Sequence, residues 1–216
     1  MQGHESCSDT LLGRGVSHLV TTRKVAVVVD SSSCLPLELL ARWKIFVVPH
    51  QLVIGDSSYR DNIEISPSQF YRHLKTGSFR ATTSAPGPTD FLETFKTASR
   101  EAKSILCLTI SSSFSATHDT ARIASEIAQE VLPEVRIKVL DSQSAAGALG
   151  FITLEAAKAA SQGHGLEEVC FRSKKLIPRV HLLAVLDTLR HIDHSGRLGK
   201  AKLWAGSALG IKPLIE

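Results

Sequence analysis

The run Val25-Ala26-Val27-Val28-Val29 contains no polar position, and it constrains the fold more than any other stretch of the chain. A strand sends alternate side chains to opposite faces, so an unbroken apolar, β-branched run needs cover on both of them. Further strands are read at Ile45-Phe46-Val47-Val48, from Ser104 to Ile110 and from Val135 to Leu140, with an extended piece from Gln51 to Ile54 leading into a Gly55-Asp56 turn. Segments of helical character separate them, from Pro36 to Trp43, Ser66 to Lys75, Pro88 to Ala102, Ala116 to Val131 and Ala145 to Ser161. Ser66 followed by Pro67 is an N-cap with proline at the first helical position. The alternation predicts an α/β fold, a mainly parallel sheet with helices on both faces.

Domain organisation follows the change in pattern. Residues 1–24, rich in Gly, Ser, Thr and His, read as a poorly ordered extension, and residues 25–164 as an α/β N-terminal domain. Residues 165–216 read as the start of a smaller, lid-like α/β domain that is incomplete here. It has a helix from Leu166 to Ile177, a strand from His181 to Leu186, two shorter helical pieces, and a terminal strand from Ile211 that has only begun. A missing remainder would leave one wall of any slot beneath that lid open to water.

Composition excludes several classes of function. With 43% hydrophobic and 21% charged residues, the 216-residue chain reads as an ordinary globular protein. A formal net charge of +4 is too small to imply nucleic acid without a concentrated basic face, and the basic stretch Arg172–Arg179 reads as the solvated side of a helix. No apolar run approaches the roughly 18 residues of a membrane span. The four cysteines Cys7, Cys34, Cys107 and Cys170 are widely separated, which suits a reducing cytoplasm and offers no metal-ligand pairing. His191, Asp193 and His194 have metal-ligating side chains, but their spacing makes no shared helical face. No metal and no cofactor are expected.

Two hydroxyl-rich turns carry the chemistry, Thr82-Thr83-Ser84-Ala85-Pro86 and Ser111-Ser112-Ser113-Phe114-Ser115-Ala116-Thr117. Each precedes a helical segment, so O–H donors sit beside free N–H groups at the positive end of a helix. Such a turn can hold an anion without Lys or Arg. Ordinary capping accounts for one such cluster. Two clusters at equivalent places in successive strand–helix units point to a site.

In order along the chain, several motifs resemble the DegV family, fatty-acid-binding proteins that serve as acyl-carrying subunits of bacterial fatty acid kinase. They are Val29-Asp30-Ser31-Ser32, Tyr59-Arg60-Asp61, Ile65 to Tyr71, the two hydroxyl turns, Asp141-Ser142, Ser195-Gly196-Arg197-Leu198 and Ile211-Lys212-Pro213. The resemblance implies one long-chain fatty acid held between two domains and presented to a separate ATP-dependent kinase subunit, with no catalysis by the chain itself and no nucleic-acid partner. It implies that Thr83 and Ser115, with Ser84 beside them, bind the carboxylate, and that Arg197 lies near the carboxylate and the kinase-facing surface. Phe114, Leu149 and Phe151 are candidates for the acyl slot. The family carries glycines where this chain has Ser113 and Ala116, and a histidine and an arginine beyond the last residue here.

Two other readings compete. Ser115, His118 and Asp119 would make a serine-nucleophile hydrolase, although no Gly-x-Ser-x-Gly elbow is present. The basic charge balance would suit a DNA-binding regulator, although no recognition helix with flanking phosphate contacts stands out.

Overall fold

Every residue of strand β1 (Ala26–Asp30) is buried, because the sheet around it is covered on both sides. The computed structural model describes residues 23–76, 81–185 and 214–215. β1 is the second strand of a four-stranded parallel sheet that also contains β2 (Ile45–Val48), β6 (Ser104–Thr109) and β7 (Arg136–Asp141), in the order β2-β1-β6-β7. Val27 pairs with Ile45 on one side and with Leu106 on the other.

Strand alternation then sorts the core into two halves. Val25, Val27, Val29, Leu106 and Leu108 face helices α5 (Ala146–Ser161) and α6 (Leu166–Leu176), through Leu149, Ile152, Ala156, Val169 and Cys170. Helix α1 (Leu37–Trp43) adds Leu40 and Trp43 at the margin of that half. Ala26, Val28, Ile105 and Cys107 face helices α3 (Pro88–Ser99) and α4 (Thr117–Val131), through Phe91, Phe95, Ala121, Ala124 and Ala128. The small alanines let α4 approach the sheet closely, while two phenylalanines of α3 fill the remaining volume.

A second sheet is antiparallel and has the order β4-β3-β5, formed by β3 (Gln51–Ile54), β4 (Ser57–Arg60) and β5 (Ala81–Ser84). The Gly55-Asp56 turn closes the β3–β4 hairpin, with Gly55 at a positive φ of 59° that suits glycine. Helix α2 (Pro67–Thr76) follows β4, opened by Ser66, whose N–H donates to Gln69 Oε1 at 2.8 Å.

Two expectations change here. Thr82, Thr83 and Ser84 form a strand of the antiparallel sheet, whereas the second hydroxyl cluster follows a parallel strand. The two clusters therefore do not occupy equivalent places in successive parallel units. The domain boundary expected at 164 falls inside one packed unit, because α6 buries Leu166, Val169 and Cys170 in the core under β1 and β6. Beyond it, β8 (Ala184–Val185) pairs antiparallel with β9 (Leu214–Ile215).

Helix α5 passes close to the turn after β1, and Gly150 is the point of approach. A Cβ there would lie 2.8 Å from the Ser33 carbonyl oxygen and 3.1 Å from Leu35 Cδ2. Gly147, at the start of the same helix, has open space around it. Gly150→Ala is expected to destabilise the fold by about 1–3 kcal/mol, and Gly147→Ala to leave it unchanged or gain up to about 1 kcal/mol. Urea unfolding of both variants checks this; equal midpoints would contradict the close approach.

Candidate functional site

The parallel strands all end at one edge, where open α/β sheets place their ligands. β1 ends in Asp30, which is fully buried. Its Oδ1 accepts the Ser32 N–H at 3.0 Å and the Ser32 hydroxyl, and its Oδ2 accepts the Ile110 N–H at 2.7 Å. One carboxylate thus satisfies the turn after β1 and the first backbone donor beyond β6, eighty residues later. Asp141 does the same at the end of β7, where Oδ2 accepts the Ser112 hydroxyl at 2.6 Å and holds the second hydroxyl turn against the sheet. Within that turn, the N–H groups of Phe114 and Ser115 both donate to the Ser111 carbonyl.

β2 stops at Pro49, and the next residue, His50, turns into the edge. Its N–H donates to Ser31 Oγ at 3.1 Å, its Nδ1 lies 3.3 Å from the same hydroxyl, and Nδ1 is 3.7 Å from Asp30 Oδ1. The opposite ring nitrogen, Nε2, lies 3.1 Å from Thr117 Oγ1 at the first turn of α4. Thr117 Oγ1 is in turn 2.7 Å from Ser115 Oγ, which also accepts the Thr117 N–H at 3.3 Å. Asp30, Ser31, His50, Thr117 and Ser115 therefore form one connected polar network.

The antiparallel sheet supplies the facing wall. Between the two lies a cavity of about 390 Å³, within the range of small-ligand pockets. Ser31, Ser32, His50 and Ser115 line it from the parallel-sheet edge, and Thr83 and Ser84 from β5. Leu52, Ala85, Ile110 and Phe114 give it apolar surface. Thr83 pairs with Leu52 across β3 and β5, so a hydroxyl and an apolar side chain enter the cavity from one register position.

Cys34 and Asp61 complete the lining. Partial burial, then the nearby charges of Asp61 and Asp30, raise the Cys34 thiol above its ordinary pKa. Cys107 is buried beneath the sheet, and burial holds its pKa well above the ordinary value.

The structure brings Thr83, Ser84, Ser115 and Phe114 to this one cavity. It places the other two acyl-slot candidates elsewhere. Leu149 is fully buried in the core beneath β1 and β6, and Phe151 is 68% exposed on α5. Two residues apart on a helix, they point in different directions, and neither lines the cavity. Arg197, together with His191, Asp193 and His194, lies outside the described residues. His118 Nδ1 lies 3.1 Å from Thr109 Oγ1, which engages the ring with β6. Among the described residues no group of three or more His, Cys, Asp or Glu side chains could hold a metal ion. His50 and Asp30 were not foreseen as site residues. Their position, Asp30 as the last residue of β1 and His50 two residues past the end of β2, is the signal that points to them.

Comparison with known proteins agrees with this architecture. The family model described as "uncharacterised protein, DegV family" matches residues 24–216. A DegV domain-containing protein of Caldanaerobacter subterraneus is 32% identical over 192 residues, which cover 89% of this chain and 67% of that protein. A Streptomyces coelicolor relative is 35% identical over 196 residues, covering 90% and 68%. The solved structure of a DegV family protein from Thermus thermophilus, described by its fatty acid binding, superposes with a TM-score of 0.76 at 33% identity, covering 88% of this chain and 66% of that one. DegV from Bacillus subtilis, described as a fatty acid binding protein, gives 0.77 at 26% identity, covering 89% and 67%. The Streptococcus pneumoniae Fatty Acid Kinase B3 protein, loaded with linoleic acid, shares the fold at 24% identity with a TM-score of 0.75, covering 88% and 67%. The chain spans about two thirds of the length of these relatives.

The acidic surroundings of Cys34 give a direct check on the cavity. At neutral pH, alkylation of Cys34 by iodoacetamide is expected to be slower than that of a free cysteine and to accelerate only at higher pH, because the thiolate is the nucleophile. Cys107 is expected to stay unmodified until the protein unfolds. Peptide mass mapping against pH checks both; a Cys34 faster than free cysteine would contradict the assigned environment.

Proposed function

The chain belongs to the DegV family, and from that footing we propose that it binds a long-chain fatty acid, with the carboxylate at the hydroxyls of Thr83 and Ser115 and Ser84 beside them. The observation that carries this reading is that hydroxyls from β5 and from the turn after β6 meet in one cavity that also has an apolar wall. A carboxylate can be held by two or three charge-assisted hydrogen bonds without a metal or a basic side chain. Phe114, Ile110 and Leu52 offer surface for the first methylenes of the acyl chain, each worth about 0.8 kcal/mol when buried. Relatives in Thermus thermophilus and Bacillus subtilis are described as binding fatty acids, which supports the same ligand class here.

In this reading the protein is a carrier: it presents the bound carboxylate to a separate ATP-dependent kinase subunit that makes the acyl phosphate, and Arg197 contributes near the carboxylate and the kinase-facing surface. The family resemblance supports that role. The setting would be the cytoplasm, where the kinase finds its ATP. Among the described residues no helix is long and apolar enough to cross a membrane.

Thr83→Ala and Ser115→Ala are each expected to weaken fatty acid binding by about 1–3 kcal/mol, the scale of a lost charge-assisted bond. Displacement of a fluorescent fatty acid measures this; unchanged affinity in both variants would refute the carboxylate site. The purified chain with Mg-ATP and palmitate is expected to form no acyl phosphate until a kinase subunit is added. Formation by the chain alone would refute the carrier role.

A further inference from the structure

The network behind the cavity contains a group that the fatty-acid reading leaves without a task. His50 is linked to two of the three serines that line the cavity from the parallel-sheet edge, Ser31 directly through Nδ1 and Ser115 through Nε2 and Thr117. Each hydroxyl has one proton, so the ring decides where those protons point.

Three states of the ring are possible. With a proton on Nε2 alone, Nε2–H donates to Thr117, Thr117 donates to Ser115, and the Ser115 proton is left to point into the cavity. Ser31 then spends its own proton on the bare Nδ1. With a proton on Nδ1 alone the chain reverses, so that Ser115 donates to Thr117, Thr117 donates to Nε2, and Ser115 offers only lone pairs to the cavity. With protons on both nitrogens, Ser31 and Ser115 are each freed to donate into the cavity together, and the ring adds a positive charge. That charge has a counter-ion in the buried Asp30, whose Oδ1 is 3.7 Å from Nδ1. An anion is best served by this third state.

We propose that His50 is the positioning residue that makes this end of the cavity an anion site, holding a proton on each ring nitrogen when a carboxylate is bound so that Ser31 and Ser115 both donate to it. The proposal rests on the fatty-acid reading for the identity of the anion and extends it to how the anion is selected. Carboxylate binding is then coupled to uptake of a proton at His50. Among the described residues, the charged and titratable groups on the ring's side of the cavity are Asp30 at the end of β1, and Asp61 and Cys34 on the cavity wall. The acids favour the charged ring, and Thr117 on α4 is neutral. The sign follows directly: acidification through the ordinary histidine range charges the ring and tightens carboxylate binding.

The test compares palmitate with the primary alcohol of the same chain length, for the wild type, His50→Gln and Thr117→Val, by calorimetry in two buffers of different ionisation enthalpy. Wild type is expected to bind palmitate at least about fivefold more tightly near pH 6 than near pH 8, with net proton uptake on binding. The alcohol is expected to show neither effect. His50→Gln is expected to lose the proton uptake and bind palmitate equally at both pH values. Thr117→Val, which keeps the imidazole but cuts the branch to Ser115, is expected to weaken palmitate binding while retaining proton uptake, and it serves if His50→Gln does not fold. Proton uptake that persists in His50→Gln, or its absence in wild type that binds palmitate, would overturn the proposal. If the wild type binds no palmitate at either pH, the fatty-acid reading itself fails. The proposal is then decided by titrating sodium formate while following the His50 ring nitrogens by ¹⁵N NMR. A second proton gained by the ring supports it, and a ring that keeps one proton overturns it.

Discussion

A single buried carboxylate organises the edge on which everything else depends. Asp30 is removed from water entirely, and it is tolerable there because its oxygens accept a backbone N–H, a hydroxyl and the N–H of Ile110, just beyond β6 and eighty residues away. Removing it would leave the Ile110 donor and the turn after β1 without their acceptor, and a buried unpaired donor costs about 1–3 kcal/mol. The same carboxylate fixes where the two loops lie relative to each other. Ser31 is thereby held against His50, and the hydroxyl turn after β6 is held within reach of α4.

Around that anchor the fold divides its labour between two sheets. The parallel sheet is rigid because both faces are packed, one by α5 and α6 and the other by α3 and α4. The antiparallel sheet is smaller, and among the described residues Leu52, Ile54 and Ile65 form its own buried apolar cluster. It brings Thr83 and Ser84 opposite Ser31 and Ser115. Polar groups at one end and apolar surface beside them make a cavity suited to a molecule with one charged end and a hydrocarbon body. The donors are hydroxyls, and His50 beside them lies 3.7 Å from the Asp30 carboxylate, so the strength of the proposed anion site depends on proton placement.

The parallel sheet was legible in the sequence because burial on both faces writes itself as unbroken apolar runs, as in Val25–Val29 and Ile105–Leu108. Of the antiparallel strands only β3 was, as the extended piece Gln51–Ile54 before the Gly55-Asp56 turn. β4 reads Ser-Ser-Tyr-Arg and β5 reads Ala-Thr-Thr-Ser, and with most of their side chains exposed neither carries an apolar pattern. For that reason Thr82–Ser84 looked like a turn, although the fold does carry the Thr83 and Ser84 hydroxyls to the cavity. Helix α5 misled in the opposite way. Its alanine-rich sequence is apolar almost all round, so nothing distinguished the face of Leu149, which enters the core, from that of Phe151, which faces outward. The Asp30–Ile110 and His50–Thr117 contacts join residues far apart in sequence, and only the fold reveals them.

The central claim is that the carboxylate of a bound fatty acid sits between Thr83 and Ser115, with its first methylenes against Phe114. Palmitate labelled with ¹³C at its α-carbon, bound to the protein, tests this most directly through nuclear Overhauser contacts from the α-methylene protons. The account predicts contacts to the Phe114 ring and to the methyl groups of Thr83 and Ala85. Contacts instead to Phe151 and the outer face of α5, with none to Thr83 or Phe114, would contradict it.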